Sequence, residues 1–278
     1  ECVPNFSEGN DADLIKQIID AIRSIDAITL LDVDSGIDTN RTVVTFVGPP
    51  QPVIEAAYLG IKMASKLINM NNHSGEHPRM GATDVCPLVP VSGISMNECI
   101  ELSKQLAKRV GDELGIPVFL YEKSAKNKER SNLANIRLGE YEGMAKKLVQ
   151  NKWKPDYGQA KMHPSAGVIA IGAREFLIAY NINLNTQDKK LASDIALDVR
   201  EAGRAKRRSD GKFARRDDNS IIKIPGTLKA TKAVGWYIEE YKQAQVSMNL
   251  VDFNLTSIHE AFDEVCLQAE KRGLRVTG

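Results

Sequence analysis

The sequence predicts an α/β (α+β) chain of two ferredoxin-like subdomains, each an antiparallel sheet with helices packed on one face. Three observations lead there. Strand-like and helix-like segments follow the order β-α-β-β-α-β in the first part of the chain, with a further α-β after it. A second, shorter series repeats the theme. The two series also match weakly in residues, "NFSEGNDADLI" beside "NINLNTQDKKL", as an old duplication would. The expected domains are residues 1–175 and 176–278.

In order, "ECVPNF" reads as a short strand. Asn10 and Asp11 then open a helix whose apolar face is Leu14, Ile15, Ile18, Ile19 and Ile22. "AITLLDVDSG" and "NRTVVTFVGPP" are rich in β-branched residues and meet at a turn over residues 35–39. A helix is expected from Gln51 to Asn69, then a polar loop, the strand "ATDVCPLVPV", the helix "SMNECIELSKQLAKRVGDELG" and the strand "IPVFLYEK". In the second half "FLIAYNINLN" is strand-like, and residues 188–202 form a helix through Leu191, Ile195, Leu197 and Val199. "TLKATKAVGWYIEE" and "AQVSMNLVDF" are two more strands, residues 256–272 a helix, and "LRVTG" the start of a last strand expected to continue past Gly278. Residues 153–167 carry too many glycines and prolines for a regular element. Residues 203–226 form a second loop, with seven Lys or Arg between Arg204 and Arg216 and one aromatic, Phe213, which reads as a solvated basic loop or as an attractor for a polyanionic tail.

With 42% hydrophobic and 26% charged residues, the composition is that of an ordinary globular chain. A formal net charge of +1 gives no reason to expect a nucleic-acid or membrane partner, and no apolar run approaches a bilayer span. The start lacks a secretory signal and an initiator Met, so the true start is expected a few residues upstream. Cys2, Cys86, Cys99 and Cys266 show no C-x-x-C spacing, which points to free thiols in a reducing cytoplasm. P-loop, G-x-G-x-x-G and G-x-S-x-G patterns are absent.

The stretch "NNHSGEHPRMGATD", residues 71–84, gathers His73, Glu76, His77 and Arg79. "HSGEH" fits the H-x-x-E-H pattern of zinc peptidases, but that pattern needs a helix to align both imidazoles, and Gly75 and Pro78 oppose one. No metal is expected. An acid-base role needs only one imidazole near a carboxylate, with Glu76, Arg79 and Asp84 as neighbouring charges. Residue types alone favour a solvated polar loop, and that reading is kept for His73. In "DVDSGIDTNRT", Asp34 and Arg41 either close a turn or face, respectively, a cationic group and a carboxylate of a substrate.

"ECVPNFSEGN", "LLDVDSGIDTNRTVVTFVGPP", "GEHPRMGATDVCPLVPV", "IPVFLYEKSA", "FLIAYNINLNT" and "AVGWYIEE" together resemble the glutamate formiminotransferase family, the transferase domain of formiminotransferase-cyclodeaminase, over nearly the whole chain. The resemblance implies two ferredoxin-like subdomains with a substrate cleft between them. It implies formimino transfer from N-formimino-L-glutamate to N5 of tetrahydrofolate, the latter a co-substrate, with no metal. His77 falls on the family's catalytic histidine, and the folate-contacting loop on Gly158, Gln159, Ala160, Lys161, Met162, His163, Pro164, Ser165, Ala166 and Gly167. Ala166 and His163 depart from mammalian members, which carry a tryptophan and an aliphatic residue there. Asp34, with Glu76 second, is the candidate to hold the positive charge of the amidine, and Arg41 and Arg79 to hold glutamate carboxylates. The expected partners are the small molecules formiminoglutamate and folate, without nucleic acid or membrane, and a homodimer is allowed. The rival readings are a folate one-carbon enzyme acting on 5-formyltetrahydrofolate or N-formylglutamate, and a folate-binding protein without turnover.

Overall fold

The computed structural model describes residues 1–278 and divides into two compact units, Glu1–Arg174 and Glu175–Gly278. The first contains β1 (Asn5–Phe6), α1 (Ala12–Arg23), β2 (Thr29–Gly36), β3 (Arg41–Val47), α2 (Pro50–Leu67), β4 (Thr83–Leu88), α3 (Met96–Leu114), β5 (Val118–Glu122), α4 (Lys128–Ser131), α5 (Leu133–Arg137), α6 (Glu140–Leu148) and β6 (Ile169–Ala173). The second contains β7 (Ile178–Asn183), α7 (Lys189–Val199), β8 (Arg204–Ala205), β9 (Lys223–Ile224), β10 (Thr231–Ile238), β11 (Gln243–Leu250) and α8 (Ile258–Glu270). No helix is long and apolar enough to cross a membrane.

Local chemistry accounts for the helix ends. Asp11 caps α1 by accepting from the backbone N–H groups of Asp13 and Leu14, and Ser95 with Glu98 forms a capping box on α3. Gly115, in the left-handed conformation at φ 66°, stops α3.

The first unit is built on a six-stranded sheet in the order β2-β3-β1-β4-β6-β5. Its first four strands pair antiparallel, whereas β4-β6 and β5-β6 are parallel. This corrects the expectation of a purely antiparallel sheet. The physical reason is connectivity: β4 reaches β5 through α3, and β5 reaches β6 through α4 to α6, crossovers long enough to return the chain in the same direction. Helices on one face only is likewise corrected for this part of the sheet. Val118 and Leu120 of β5 and Ile169 and Ile171 of β6 belong to one core cluster with residues of α1, α2 and α3. The alternate residues Phe119, Tyr121 and Ala170 belong to another, with Ile136, Met144 and Leu148 of α5 and α6. Alternation along a strand is alternation of face, so these strands are covered on both sides. A strand buried on both faces reads as a continuous apolar run, which is how "IAIGA" escapes a search for alternation.

The second unit has a three-stranded antiparallel sheet, β10-β11-β7, packed by α7 and α8 around Ile182, Ile195, Val199, Val246 and Val265. Along the free edge of β7 the C-terminal residues pair antiparallel: Asn185 N–H donates to Arg275 O and Thr277 N–H to Asn183 O. With that edge included, the four segments of the second unit lie in the order second-third-first-fourth, the order of β2-β3-β1-β4 in the first.

The basic segment is ordered by its own backbone. Two eight-residue excursions, "RRSDGKFA" and "RRDDNSII", begin at Arg207 and Arg215 and close in the same way. Arg208 N–H donates to Lys212 O and Arg216 N–H to Ser220 O, while Asp210 and Asp218 accept from Lys212 N–H and Ser220 N–H. Gly211 and Asn219 take the left-handed position of each turn.

Candidate active site

The loop after α2 is shaped by what it cannot be. Gly75 and Pro78 break any helix, and after a single 3-10 turn over Met70–Asn72 the chain lies irregularly against the β2-β3 turn. Glu76 N–H donates to Asp38 O at 3.1 Å, Asn40 Nδ2 to Ser74 O at 2.8 Å, and His73 Nε2 bonds Asn40 O at 3.0 Å. Gly75 allows the contact, because a Cβ there would lie 2.5 Å from Thr39 O. Asn40 sits at φ 46°, a left-handed position that asparagine tolerates, and its Oδ1 accepts from Gly9 N–H and Asn10 Nδ2.

Arg79 locks the other end of the loop. Its Nη1 donates to Glu140 and Glu142 at 2.9 and 3.0 Å, its Nη2 to Glu142 at 2.6 Å and His73 O at 3.2 Å, and its Nε to His73 Nδ1 at 3.3 Å. These five bonds use all five guanidinium donors. Glu142, the larger influence, and Glu140 raise the Arg79 pKa further. The arginine expected to receive a substrate carboxylate is therefore committed to two carboxylates in the first turn of α6, and leaves the candidate substrate-binding set. His73, accepting from Arg79 at Nδ1, carries its proton on Nε2 and spends it on Asn40 O. It is a structural ring, and the helix that a zinc-binding pair with His77 requires is not formed.

His77 lies among cations instead. Its residue surface is half-buried, and its pKa is pushed down to about 2, first by burial and then by Arg41 and Arg137. Arg41 opens β3 opposite Gly36, and Asp34 stands opposite Val43, diagonal to Arg41 on the same face of the hairpin. The Arg41 pKa falls to about 10 through burial, then the neighbouring Arg137, against the smaller attraction of Asp84 and Asp34. Asp84 owes its position to a β-bulge. Asn5 and Phe6 of β1 face Val85 and Thr83 of β4, so Asp84 is the extra residue, re-aimed by the bulge. Only 2% exposed, it accepts from Met80 N–H at 3.0 Å through Oδ1 and from Arg137 through Oδ2. Arg137, at the end of α5, carries no local signal in the sequence, since nothing near it in the chain resembles a site. Asp34 and the Glu76 side chain are exposed.

The 158–167 loop joins this assembly at one end. His163 and Gly167 exchange backbone hydrogen bonds around a turn, inside which His163 Nδ1 accepts from Ala166 N–H at 3.0 Å. Ser165 O accepts from Met70 N–H, Pro164 O from Asn71 Nδ2, and Ala166 O from Ala82 N–H, so this turn is tied to both flanks of the loop that carries His77. Gly158, Gln159, Ala160 and Lys161 are exposed, Met162 and Ser165 half-buried, and the Ala166 side chain belongs to the core. Burial lowers the His163 pKa. Two surface depressions of the unit lie elsewhere. One, of about 420 Å³, is lined by residues such as Val47, Val53, Leu88 and Leu102, and one, of about 330 Å³, by residues such as Gly9, Ile15, Val33 and Ser35. The bonding geometry around His77, rather than concavity, marks the candidate site.

Comparison with known proteins gives the family of the chain. Residues 1–174 match the N-terminal subdomain of the formiminotransferase domain, and residues 179–278 match the formiminotransferase domain. The chain is 50% identical over 278 residues to a formimidoyltransferase-cyclodeaminase of Dictyostelium discoideum, covering 100% of this chain and 49% of that protein. It is 45% identical over 278 residues to a glutamate formimidoyltransferase of Streptococcus pyogenes serotype M1, covering 100% of this chain and 86% of that one. A glutamate formimidoyltransferase of Thermoplasma acidophilum is 42% identical over 276 residues, 99% of this chain and 84% of the relative. The chain spans about half the length of the formimidoyltransferase-cyclodeaminases it matches. It belongs to the formiminotransferase-domain family.

Proposed function

We propose that this chain transfers the formimino group of N-formimino-L-glutamate to N5 of tetrahydrofolate, releasing L-glutamate, with His77 moving the protons. The observation that carries the reading is the bend holding His77 between the β2-β3 turn and the 163–167 turn, with Arg41 and Asp34 on the adjoining hairpin. The names of the Streptococcus and Thermoplasma relatives support the same chemistry.

Attack by N5 on the amidine carbon forms the new C–N bond and a tetrahedral centre. One proton leaves N5, one reaches the departing glutamate nitrogen, and the old C–N bond breaks. A single imidazole can accept the first proton and return it to the leaving nitrogen. Asp34 is assigned to the positive charge of the amidine, with Glu76 second, and Arg41 to a glutamate carboxylate. Residues 158–167 are assigned to folate, with contact centred on the exposed span 158–161 and the half-buried Met162, His163 and Ser165. Holding both substrates on one rigid loop assembly supplies much of the rate. The test is glutamate release from N-formimino-L-glutamate and, separately, from N-formylglutamate, each with tetrahydrofolate. The reading expects release from the amidine donor; release from the formyl donor alone overturns it.

A further inference from the structure

The cations around His77 outnumber the anions that are fixed among them. Arg137 and Arg41 share one buried carboxylate, that of Asp84, which is bonded to Arg137. Asp34, the other acid acting on Arg41, is exposed, and its influence there is the smallest. The Nε atoms of Arg41 and Arg137 are both buried without a hydrogen-bond partner. Buried donors left in that state are rare and ask for an acceptor. Arg130 shows the contrast: it too has a buried Nε, but its Nη1 is bonded to Asp156 and its Nη2 to two backbone carbonyls, and it is a structural strut. Arg79, as described, has no donor left.

We propose that Arg41 and Arg137 form a carboxylate receptor beside His77, in which Asp84 is a positioning residue that holds Arg137 and the two guanidiniums together take one carboxylate of a glutamyl substrate. The proposal rests on the transfer reading above for the identity of the substrate, and on the structure for the receptor. A carboxylate is the chemistry that fits, because two planar forks with unspent N–H groups match its paired oxygens. One added negative charge balances two guanidiniums against two carboxylates. The same balance bears on catalysis. Arg41 and Arg137 are the charges that oppose protonation of His77. An anion bound between them offsets that repulsion, the smaller part of the shift after burial, and so raises the basicity of the imidazole when donor is present. The carboxylate has two sources, the donor's glutamate moiety and the glutamate tail of folate, and separate Michaelis constants tell them apart.

The experiment is steady-state kinetics on wild type and Arg137→Lys for both substrates, with calorimetric titration of each protein by L-glutamate. Lysine keeps a positive charge near Asp84 and loses the fork. The KM for N-formimino-L-glutamate is expected to rise about tenfold or more, with kcat and the KM for tetrahydrofolate changing less than about threefold, and L-glutamate binding weakening by the same factor. A rise confined to the KM for tetrahydrofolate assigns the same receptor to the folate tail. Unchanged values for both substrates and for L-glutamate overturn the receptor, as does a uniform loss tracking a lower melting temperature. Should Arg137→Lys not fold, Arg41→Lys reads the other half of the receptor. It should weaken L-glutamate binding about tenfold or more, and unchanged binding overturns the proposal. If wild type releases no glutamate from the donor, the transfer reading fails while the calorimetric arm still decides the receptor.

Discussion

His73 and His77, four positions apart, meet opposite fates. His73 uses both ring nitrogens on the protein, so His73→Ala should cost about 1–2 kcal/mol in urea unfolding, the scale of hydrogen bonds lost to a charged partner and a carbonyl. His77 has its pKa depressed to about 2 in the fold, far below the value of an unfolded chain. Between about pH 6.5 and that folded value, the unfolded chain takes up a proton that the folded protein refuses, so stability is full above about 6.5 and falls as the pH is lowered. His77→Gln removes this source of acid sensitivity. Its acid-unfolding midpoint, followed by circular dichroism, should lie at lower pH than that of wild type; an unmoved midpoint would mean that His77 is not held neutral by its surroundings.

At the level of elements, the candidate site depends on the short helices α5 and α6. Lys147 of α6 donates to the carbonyls of Asn135, Ile136 and Leu138 at 2.6, 2.6 and 3.1 Å and lies 4.1 Å from the Trp153 ring centroid. It thereby closes the turn that presents Arg137. Lys147→Met should destabilise the protein by about 2 kcal/mol or more, since three carbonyls, that of Ile136 buried, lose their donor. It should also speed amide hydrogen exchange in residues 133–138; unaltered exchange there would contradict this role. The opposing turn depends on Gly81, where a Cβ would lie 2.0 Å from Val168 O and 2.7 Å from Ala166 O. Gly81→Ala should cost about 1–3 kcal/mol by forcing those strands apart. Local sequence showed part of this assembly. Gly75 and Pro78 announced an irregular loop, and the bend at His77 follows from them. The fate of Arg79 was hidden, because its partners Glu140 and Glu142 are distant in the chain. Asp84 is aimed by a bulge, which depends on pairing with β1 and not on any residue near it.

Across the whole molecule, the same strand order occurs twice, and the sequence was most legible where that order is carried by amphipathic helices such as α1, whose Ile15, Ile18 and Ile22 face the core. It was least legible from α4 to β6. There two parallel pairings join segments far apart in the chain, and β6, apolar throughout, gives no alternation to read. The His77 loop is anchored where β1, β4 and the 163–167 turn meet, so its geometry belongs to the fold of the first unit rather than to the loop's own residues. The central claim is that this fold holds one imidazole as the proton carrier of formimino transfer. The most direct measurement is single-turnover glutamate release by wild type and His77→Ala at saturating donor and tetrahydrofolate, with circular dichroism of both proteins. The account predicts a loss of about 10²-fold or more in the variant with the fold retained. Release at a near-normal rate from a folded His77→Ala protein would contradict it.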